Sequence, residues 1–150
     1  MLIGLIADTH GLIRPEAIAA LAGADLILHA GDVGGPVVLS ALGRVAPVRA
    51  VFGNTDPPDG TLPAAIDDTF DGVRVHVSHG HELGSPTPER LVAAYPADIV
   101  MYGHTHKALV RRIGRALVVN PGAAGPRRFN LQPSVGLLRL PEAAVTIVQL

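Results

Sequence analysis

The stretch Leu2-Ile3-Gly4-Leu5-Ile6-Ala7-Asp8-Thr9-His10 joins an apolar run to a polar triplet. A short, uninterrupted apolar run is typical of a strand that is buried on both faces, as strands of parallel sheets are. In open α/β sheets, ligands bind beyond the carboxyl ends of the strands. The stretch therefore predicts the first strand of an α/β fold, with Asp8 and His10 at the edge of the sheet where binding occurs.

The same pattern recurs twice in the first half of the chain. The predicted strands and helices there cover, in order, residues 2–7, 16–21, 25–29, 36–42 and 48–52. Pro15 and Pro36 stand at the start of the two helices, where the fixed φ of proline is favourable. The second strand leads into Gly31-Asp32 and the third into Gly53-Asn54. Strand–turn–helix units in succession predict a mostly parallel sheet.

The second half of the chain predicts one helix and several strands, four of which form two hairpins. Its strands cover residues 73–77, 98–102, 109–113, 116–119, 135–140 and 143–150, and its helix covers residues 88–95. The alternation in Val73-Arg74-Val75-His76-Val77 predicts a half-exposed strand with His76 facing solvent. A length of 150 residues suits one domain. We therefore expect a single domain over residues 1–150, built from two packed sheets with helices outside.

Composition and charge limit the classes of protein to which the chain can belong. Cysteine is absent, so a bound metal must be held by oxygen and imidazole ligands. The net charge of −1 provides no basic surface for duplex nucleic acid. We interpret the basic clusters, Arg111-Arg112 with Arg115 and Arg127-Arg128, as solvated surface in preference to phosphate-binding sites. Neither a membrane-spanning stretch nor a signal peptide is indicated, so no membrane partner is expected and the predicted location is the cytoplasm.

Polar residues that suit a divalent metal follow most of the predicted strands. They are Asp8, His10, Asp32, Asn54, His79, His104 and His106. Strand ends that are distant in sequence converge at one edge of a sheet, which would gather these carboxylates, imidazoles and amide together. If the backbone stays extended, alternate residues such as Asp8 and His10 can point into one site. Seven ligands with one shared carboxylate could hold two ions about 3.5–4 Å apart, a pair that activates water for attack on a phosphoryl group.

The ordered motifs resemble those of the calcineurin-like metallophosphoesterases, and among them the small bacterial and archaeal phosphodiesterases. The resemblance covers nearly the whole chain. It is carried by Asp8-Thr9-His10, Gly31-Asp32, Gly53-Asn54-Thr55-Asp56, His79-Gly80-His81, Gly103-His104-Thr105-His106 and the glycine turn Asn120-Pro121-Gly122. The resemblance implies an α/β fold, a four-layer α/β/β/α sandwich of two mixed sheets, with a metal site at the carboxyl ends of the strands.

The resemblance also implies how the seven catalytic ligands are divided between two ions. One ion would be bound by Asp8, His10, Asp32 and His106, and the other by Asp32, Asn54, His79 and His104. Asp32 would bridge the two ions. Mn²⁺ is favoured for this mixed set of ligands, and Ni²⁺, Zn²⁺, Fe²⁺ and Mg²⁺ are compatible with it.

One position departs from the commoner family pattern. Many members carry a histidine after the asparagine of the third motif, where it stabilises the transition state or protonates the leaving group. This chain has Thr55 at that position. The metal site should survive the change, but general acid assistance, worth roughly 10²–10⁴-fold in rate, would be missing or supplied by another group.

Three further residues near the motifs leave alternatives open. His29 is expected to pack in the core or to orient a ligand, as the partners of metal ligands commonly do. His81 could replace His79 as a ligand or line the substrate pocket, and we favour His79 as the ligand. Asp56 is expected to fix a neighbouring imidazole, with a plain turn residue as the alternative.

The function implied by the resemblance is hydrolysis of a phosphodiester by a metal-bound hydroxide. A phosphomonoesterase of the same fold is one alternative, and the other is a non-catalytic, protein-binding scaffold like a retromer subunit that resembles this family. We favour catalysis because every ligand position carries a competent residue. The expected partner is a small phosphoester substrate, with the loops 57–63 and 82–88 bordering its pocket. Exposed strands near the C-terminus are compatible with a homodimer or a larger homo-oligomer.

Overall fold

Ten strands and three short α-helices make up the computed structural model, which describes residues 1–150. The strands are Leu2–Ile6 (β1), Leu26–His29 (β2), Val48–Ala50 (β3), Ala65–Phe70 (β4), Val73–Ser78 (β5), Ile99–Met101 (β6), Leu109–Ile113 (β7), Ala116–Asn120 (β8), Ser134–Arg139 (β9) and Ala144–Gln149 (β10). The α-helices are Pro15–Leu21 (α1), Pro36–Gly43 (α2) and Pro88–Ala94 (α3), and a 3₁₀ turn covers His81–Leu83. These bounds lie close to the predicted ones, except that β4 is not predicted by the sequence.

Each α-helix begins at a proline. The first N–H groups of a helix have no partner inside the helix, so proline loses no hydrogen bond there, and its φ is already helical. In α3 the preceding residue adds a cap, because Thr87 Oγ1 accepts a hydrogen bond from Arg90 N at 3.2 Å. The helix starts predicted at Pro15 and Pro36 are confirmed.

Both sheets have five strands and are mixed. In the first, the order β10-β9-β1-β2-β3 places three parallel strands beside an antiparallel hairpin. In the second, the order β4-β5-β6-β8-β7 places the parallel strands β5, β6 and β8 between antiparallel edge strands. The predicted hairpins, β7–β8 and β9–β10, are confirmed. Because β1, β2 and β3 are parallel, their carboxyl ends share one edge, and the same holds for β5 and β6.

Apolar side chains between the two sheets form the centre of the core. This cluster has 16 buried residues, among them Ile3 and Leu28 from the first sheet and Val77 and Met101 from the second. A second cluster packs α1 and α2 on the outer face of the first sheet, and a third packs α3 on the outer face of the second. The four-layer α/β/β/α sandwich is therefore confirmed. No helix combines the length and the apolar character needed to cross a bilayer.

Strands β4 and β5 depart from the sequence prediction. The prediction that β5 exposes His76 is wrong, because that residue is only 2% exposed. Its ring stacks on Tyr95, at the end of α3, with the ring centroids 3.8 Å apart. Its two nitrogens lie 2.7 Å from Asp67 Oδ1, on β4, and 2.9 Å from Ser78 Oγ. Tyr95 and the neighbouring strand β4 therefore enclose a side chain that alternation places in solvent.

Candidate metal centre

The loops that follow five strands carry the predicted metal ligands into one cluster. Asp8 and His10 follow β1, Asp32 follows β2, Asn54 follows β3, His79 follows β5, and His104 and His106 follow β6. Residues as far as 96 positions apart in sequence come into contact there. The structure thus brings all seven residues together where the carboxyl edges of the two sheets meet.

One part of the cluster contains Asp8, His10 and His106. The Nε2 atoms of His10 and His106 lie 3.3 Å from each other and 3.9 and 3.5 Å from Asp8 Oδ1. Asp32 Oδ2 lies 3.8 Å from His10 Nε2. Ligand atoms that bind one ion at about 2.0–2.2 Å are separated by roughly 3–3.5 Å. These atoms therefore have nearly the spacing of a single coordination sphere.

The other part of the cluster contains Asp32, Asn54, His79 and His104. His79 Nε2 lies 3.3 Å from Asp32 Oδ2 and 3.0 Å from Asn54 Oδ1. Asn54 Oδ1 in turn lies 3.1 Å from His104 Nδ1. Asp8 Oδ1 also approaches His79 Nε2, at 3.8 Å. Two carboxylates therefore stand between the two parts, and bridging by Asp32 alone stays a prediction.

A buried oxygen without a hydrogen-bond donor marks the centre of the cluster. Asp8 is fully buried, and its Oδ1 accepts no hydrogen bond although three imidazole nitrogens surround it. Removing a carboxylate from water costs roughly several kcal/mol unless a cation or a set of donors compensates it. Oxygen and imidazole donors without thiolate fit a divalent metal of hard to borderline character. The residues present therefore fit the metal that the sequence predicts.

Burial and neighbouring charges shift the pKa values of several side chains in the cluster. Burial raises the pKa of Asp8 to about 7. Although burial opposes the shift, contact with Asp32 and the charge of Asp8 raise the pKa of His79 above its usual value. Burial, followed by the positive charge of Arg128, lowers the pKa of His106 to about 4. Protons on Asp8 and His79 therefore compete with a metal ion for the same site, and metal binding would release them.

Most of the predicted ligands adopt a backbone conformation that side chains rarely take. Asp8, His10, Asp32, His104 and His106 have φ between +47° and +70°. The expectation that Asp8 and His10 converge from an extended backbone is therefore wrong, because both turn inward from the left-handed region. That conformation costs about 1–2 kcal/mol per residue, and such strain is typical of functional sites that the surrounding structure holds in place.

Asp56 holds together the loops that follow β2 and β3. Its buried carboxylate accepts hydrogen bonds from the backbone N–H groups of Val33, Gly34 and Gly53 at 2.9–3.0 Å. The prediction that Asp56 fixes a neighbouring imidazole is wrong, because both of its oxygens are engaged by backbone. It instead sets the distance between the predicted ligands that these two loops carry.

His29 supports the loop that follows β1 through Thr9. His29 Nδ1 accepts a hydrogen bond from Gly31 N, so Nε2 carries the proton and donates to Thr9 Oγ1 at 3.0 Å. The threonine hydroxyl donates in turn to Val33 O at 2.7 Å. Burial lowers the pKa of His29 to about 3, so the ring is neutral. His29 is thus a buried residue that orients a ligand loop, as expected.

Asn120 supports the loop that follows β6, a role that the sequence motifs alone do not assign to it. Its Nδ2 donates to Gly103 O and to Thr105 Oγ1, both at 3.1 Å, and its Oδ1 accepts from Gly122 N at 2.9 Å. The available signal in the sequence is the Asn-Pro-Gly turn, which places an amide directly after an apolar strand. The buried amide links that turn to the loop that carries His104 and His106.

His81 lies beside the cluster without joining it. Its ring centroid is 5.3 Å from that of His79 and 6.4 Å from that of His104, and its side chain is 28% exposed. His79 is buried, and its Nδ1 donates to Ala30 O at 2.8 Å, which directs Nε2 into the cluster. The geometry therefore agrees with His79 as the ligand and with His81 at the outer side of the site.

Comparison with known proteins identifies the family. Residues 1–143 match the model of the calcineurin-like phosphoesterase superfamily domain. The match spans both sheets up to the hairpin turn between β9 and β10, and it includes all seven predicted ligands. The chain therefore belongs to the calcineurin-like phosphoesterase superfamily.

Individual relatives agree with this assignment. A probable metallophosphoesterase of Methanothermobacter thermautotrophicus is 36% identical over 149 residues, which cover 93% of this chain and 86% of the relative. A phosphodiesterase of Methanocaldococcus jannaschii is 25% identical over 157 residues, which cover 92% of each chain. Among solved structures, the zinc complex of wild-type Vps29 from Entamoeba histolytica has a TM-score of 0.82 at 27% identity, covering 98% of this chain and 90% of that one.

Proposed function

We propose that this protein is a metal-dependent phosphodiesterase with a dinuclear catalytic site. The observation that carries the proposal is the fully buried Asp8 Oδ1, which accepts no hydrogen bond and faces three imidazole nitrogens at 3.5–3.9 Å. Relatives named metallophosphoesterase and phosphodiesterase support the same class of reaction.

Seven residues would hold the two ions. One ion would be bound by Asp8, His10, Asp32 and His106, and the other by Asp32, Asn54, His79 and His104. When bound, the pair polarises the phosphoryl group and supplies a water molecule of lowered pKa as the nucleophile. Mixed carboxylate, amide and imidazole ligands suit Mn²⁺, and Ni²⁺, Zn²⁺, Fe²⁺ and Mg²⁺ are the other candidates.

The protein orients its ligand atoms by anchoring the opposite end of each side chain. Asp8 Oδ2 accepts a hydrogen bond from His104 N at 3.0 Å, which leaves Oδ1 directed at the cluster. Asp32 Oδ1 accepts from Thr55 N at 2.9 Å, which leaves Oδ2 between the two parts of the cluster. Ligand atoms held in this way need little rearrangement during the reaction, which is how a preorganised site favours the transition state.

The leaving oxygen has no imidazole at position 55 to protonate it. Thr55 is exposed and contacts the cluster through its backbone N–H. His81 is an imidazole beside the cluster that is not a proposed ligand, and its buried Nδ1 has no hydrogen-bond partner. We infer that the enzyme favours esters with acidic leaving groups.

Residues of the loop 57–63 line a cavity of about 240 Å³ with Asp56 and the start of α2. We infer that this cavity receives a substituent of the ester.

The test is a hydrolysis assay on metal-depleted and reconstituted protein. The purified protein is dialysed against EDTA, reloaded with Mn²⁺, and assayed on bis(p-nitrophenyl) phosphate and on p-nitrophenyl phosphate. We expect activity only with metal and a higher kcat/KM for the diester. Activity that survives EDTA and that no metal changes would contradict the metal mechanism.

The two alternatives predict different results in the same assay. A higher kcat/KM for the monoester would favour a phosphomonoesterase. Metal binding without hydrolysis of any ester would favour a protein-binding scaffold. The Vps29 structure that resembles this chain is itself a zinc complex, so metal binding alone does not separate the enzyme from the scaffold.

A further inference from the structure

The turn that carries Arg128 is tied to the loop of Asp8. Residues 126–130, between β8 and β9, are exposed, whereas the preceding Gly125 is buried. Gly125 N donates to Asp8 O at 3.1 Å, and a Cβ on this glycine would overlap with Thr9 O. The backbone before the turn is therefore in direct contact with a ligand loop, which keeps the turn beside the cluster.

The turn itself has a strained geometry. Leu131 N donates to Arg128 O at 3.0 Å, which closes the turn, and Phe129 within it has a φ of +54°. A bulky side chain rarely adopts that conformation, and Phe129 is 93% exposed, so burial of its ring does not offset the strain. An exposed, strained turn beside a ligand cluster indicates a functional constraint on its shape.

The side chain of Arg128 lies on the His106 side of the cluster. Arg128 and His106 line the same small concavity of the surface, together with Ala123 and Pro126. After burial, the charge of Arg128 is the largest influence on the lowered pKa of His106, and it also contributes to the lowered pKa of His10. The guanidinium therefore approaches the part of the cluster that contains both imidazoles.

The guanidinium of Arg128 is free to bind a ligand. Arg49 and Arg111 are paired with carboxylates, and Arg14 donates to Gly125 O. Arg128, in contrast, is exposed and forms no ion pair. A guanidinium offers two parallel N–H groups that match two oxygens of a phosphate, and its charge does not depend on pH in the working range.

We propose that Arg128 binds the non-bridging phosphoryl oxygens of the substrate on the His106 side of the metal centre. This inference rests on the proposed phosphoesterase function. It assigns a phosphate-binding role to one residue of the Arg127-Arg128 cluster, which the sequence alone predicts to be solvated surface. Arg127 lines the same concavity, so a larger loss of phosphate affinity in Arg127→Gln than in Arg128→Gln would overturn the assignment to Arg128.

The test compares Arg128→Gln with the wild type and with Arg115→Gln. Arg115 is exposed in the β7–β8 hairpin, so its substitution removes the same charge away from the cluster. The dissociation constant of inorganic phosphate is measured by calorimetry on the Mn²⁺-loaded proteins, and metal content is measured beside it. We expect Arg128→Gln to weaken phosphate binding on the order of tenfold or more, with metal content unchanged. Arg115→Gln should bind phosphate as the wild type does.

Several outcomes separate this inference from the function on which it rests. Equal phosphate affinities for Arg128→Gln and the wild type would overturn the role of Arg128, and so would an equal loss in Arg115→Gln. Arg128→Lys should restore only part of the affinity, because a point charge lacks the two-pronged geometry. A metal-loaded wild type that neither binds phosphate nor hydrolyses any ester would overturn the proposed function as well. A wild type that hydrolyses diesters, with Arg128→Gln unchanged in binding and in kcat/KM, would overturn only the inference.

Discussion

Replacing Asp56 with asparagine should destabilise the fold and loosen the metal cluster together. Asp56 Oδ2 accepts hydrogen bonds from Val33 N and Gly53 N, and Oδ1 accepts from Gly34 N. An asparagine can place its oxygen where it keeps two of these bonds. Its NH₂ group then faces the N–H of the third partner, so two donors oppose each other. The variant loses one charge-assisted bond and converts the other two into weaker neutral bonds.

The size of the effect follows from these three bonds. A hydrogen bond to a charged group contributes about 1.5–3 kcal/mol and a neutral one about 0.5–1.5 kcal/mol. Losing one bond and weakening two would therefore cost about 3.5–6 kcal/mol. Part of this loss is offset because a neutral amide is easier to bury than a carboxylate. We expect a net loss of about 2 kcal/mol, a large fraction of the 5–15 kcal/mol by which domains are typically stable.

The assay is urea unfolding of the metal-free protein, because bound metal would add its own stabilisation. Asp59→Asn is the matched control, since Asp59 is exposed nearby and accepts a hydrogen bond only from Thr61 N. The control should leave the unfolding midpoint unchanged, whereas Asp56→Asn should lower it and reduce the metal content of the reconstituted protein. Equal midpoints for the two variants would show that Asp56 does not hold the loops together.

Three further predictions concern the metal centre. Asp32→Asn should lower metal content and kcat more than Asn54→Ala does, because Asp32 Oδ2 faces imidazoles of both parts of the cluster, at 3.3 and 3.8 Å. Two metals per chain and near-normal turnover in Asp32→Asn would contradict bridging. Thr55→His should raise kcat/KM more for alkyl than for aryl diesters, because a general acid helps poor leaving groups most. An equal change on both esters, at unchanged metal content, would show that position 55 is not an acid site. Mn²⁺ affinity should fall by about tenfold or more per unit as pH decreases below 7, because burial raises the pKa of Asp8 to about 7 and its proton competes with the ion, as does a proton on His79. Calorimetric titrations at pH 8 and pH 6 measure this, and equal affinities would refute it.

The strands and the cluster could be predicted from sequence where the signal is local. An apolar run that ends in a polar residue reveals both a buried strand and the carboxyl end at which its ligand lies, as in Ile6-Ala7-Asp8. Strand β4 lacks such a signal, because Asp67, Asp68 and Thr69 occupy its centre and it pairs only at the edge of the sheet.

The supporting residues could not be predicted because their partners are distant in sequence. Two of the three backbone groups that hold Asp56 lie more than 20 positions earlier, and two of the three partners of Asn120 lie 15 and 17 positions earlier. His76 alternates with apolar residues as an exposed residue would, but Tyr95 covers it from the end of a helix that follows later. Such roles depend on tertiary contacts, which no local pattern encodes.

The left-handed backbone of five predicted ligands bears on which metal the protein can select. The left-handed region is a small island in φ/ψ space, so a ligand loop held there cannot shift gradually to follow an ion of another radius. Every first-row divalent ion accepts oxygen and imidazole donors, and the donors alone would rank these ions in the usual order from Mn²⁺ up to Cu²⁺. A coordination site whose loops cannot adjust adds a free-energy penalty for ions that need other metal–ligand distances or fewer ligands. The protein would then discriminate among metals through the stiffness of its loops.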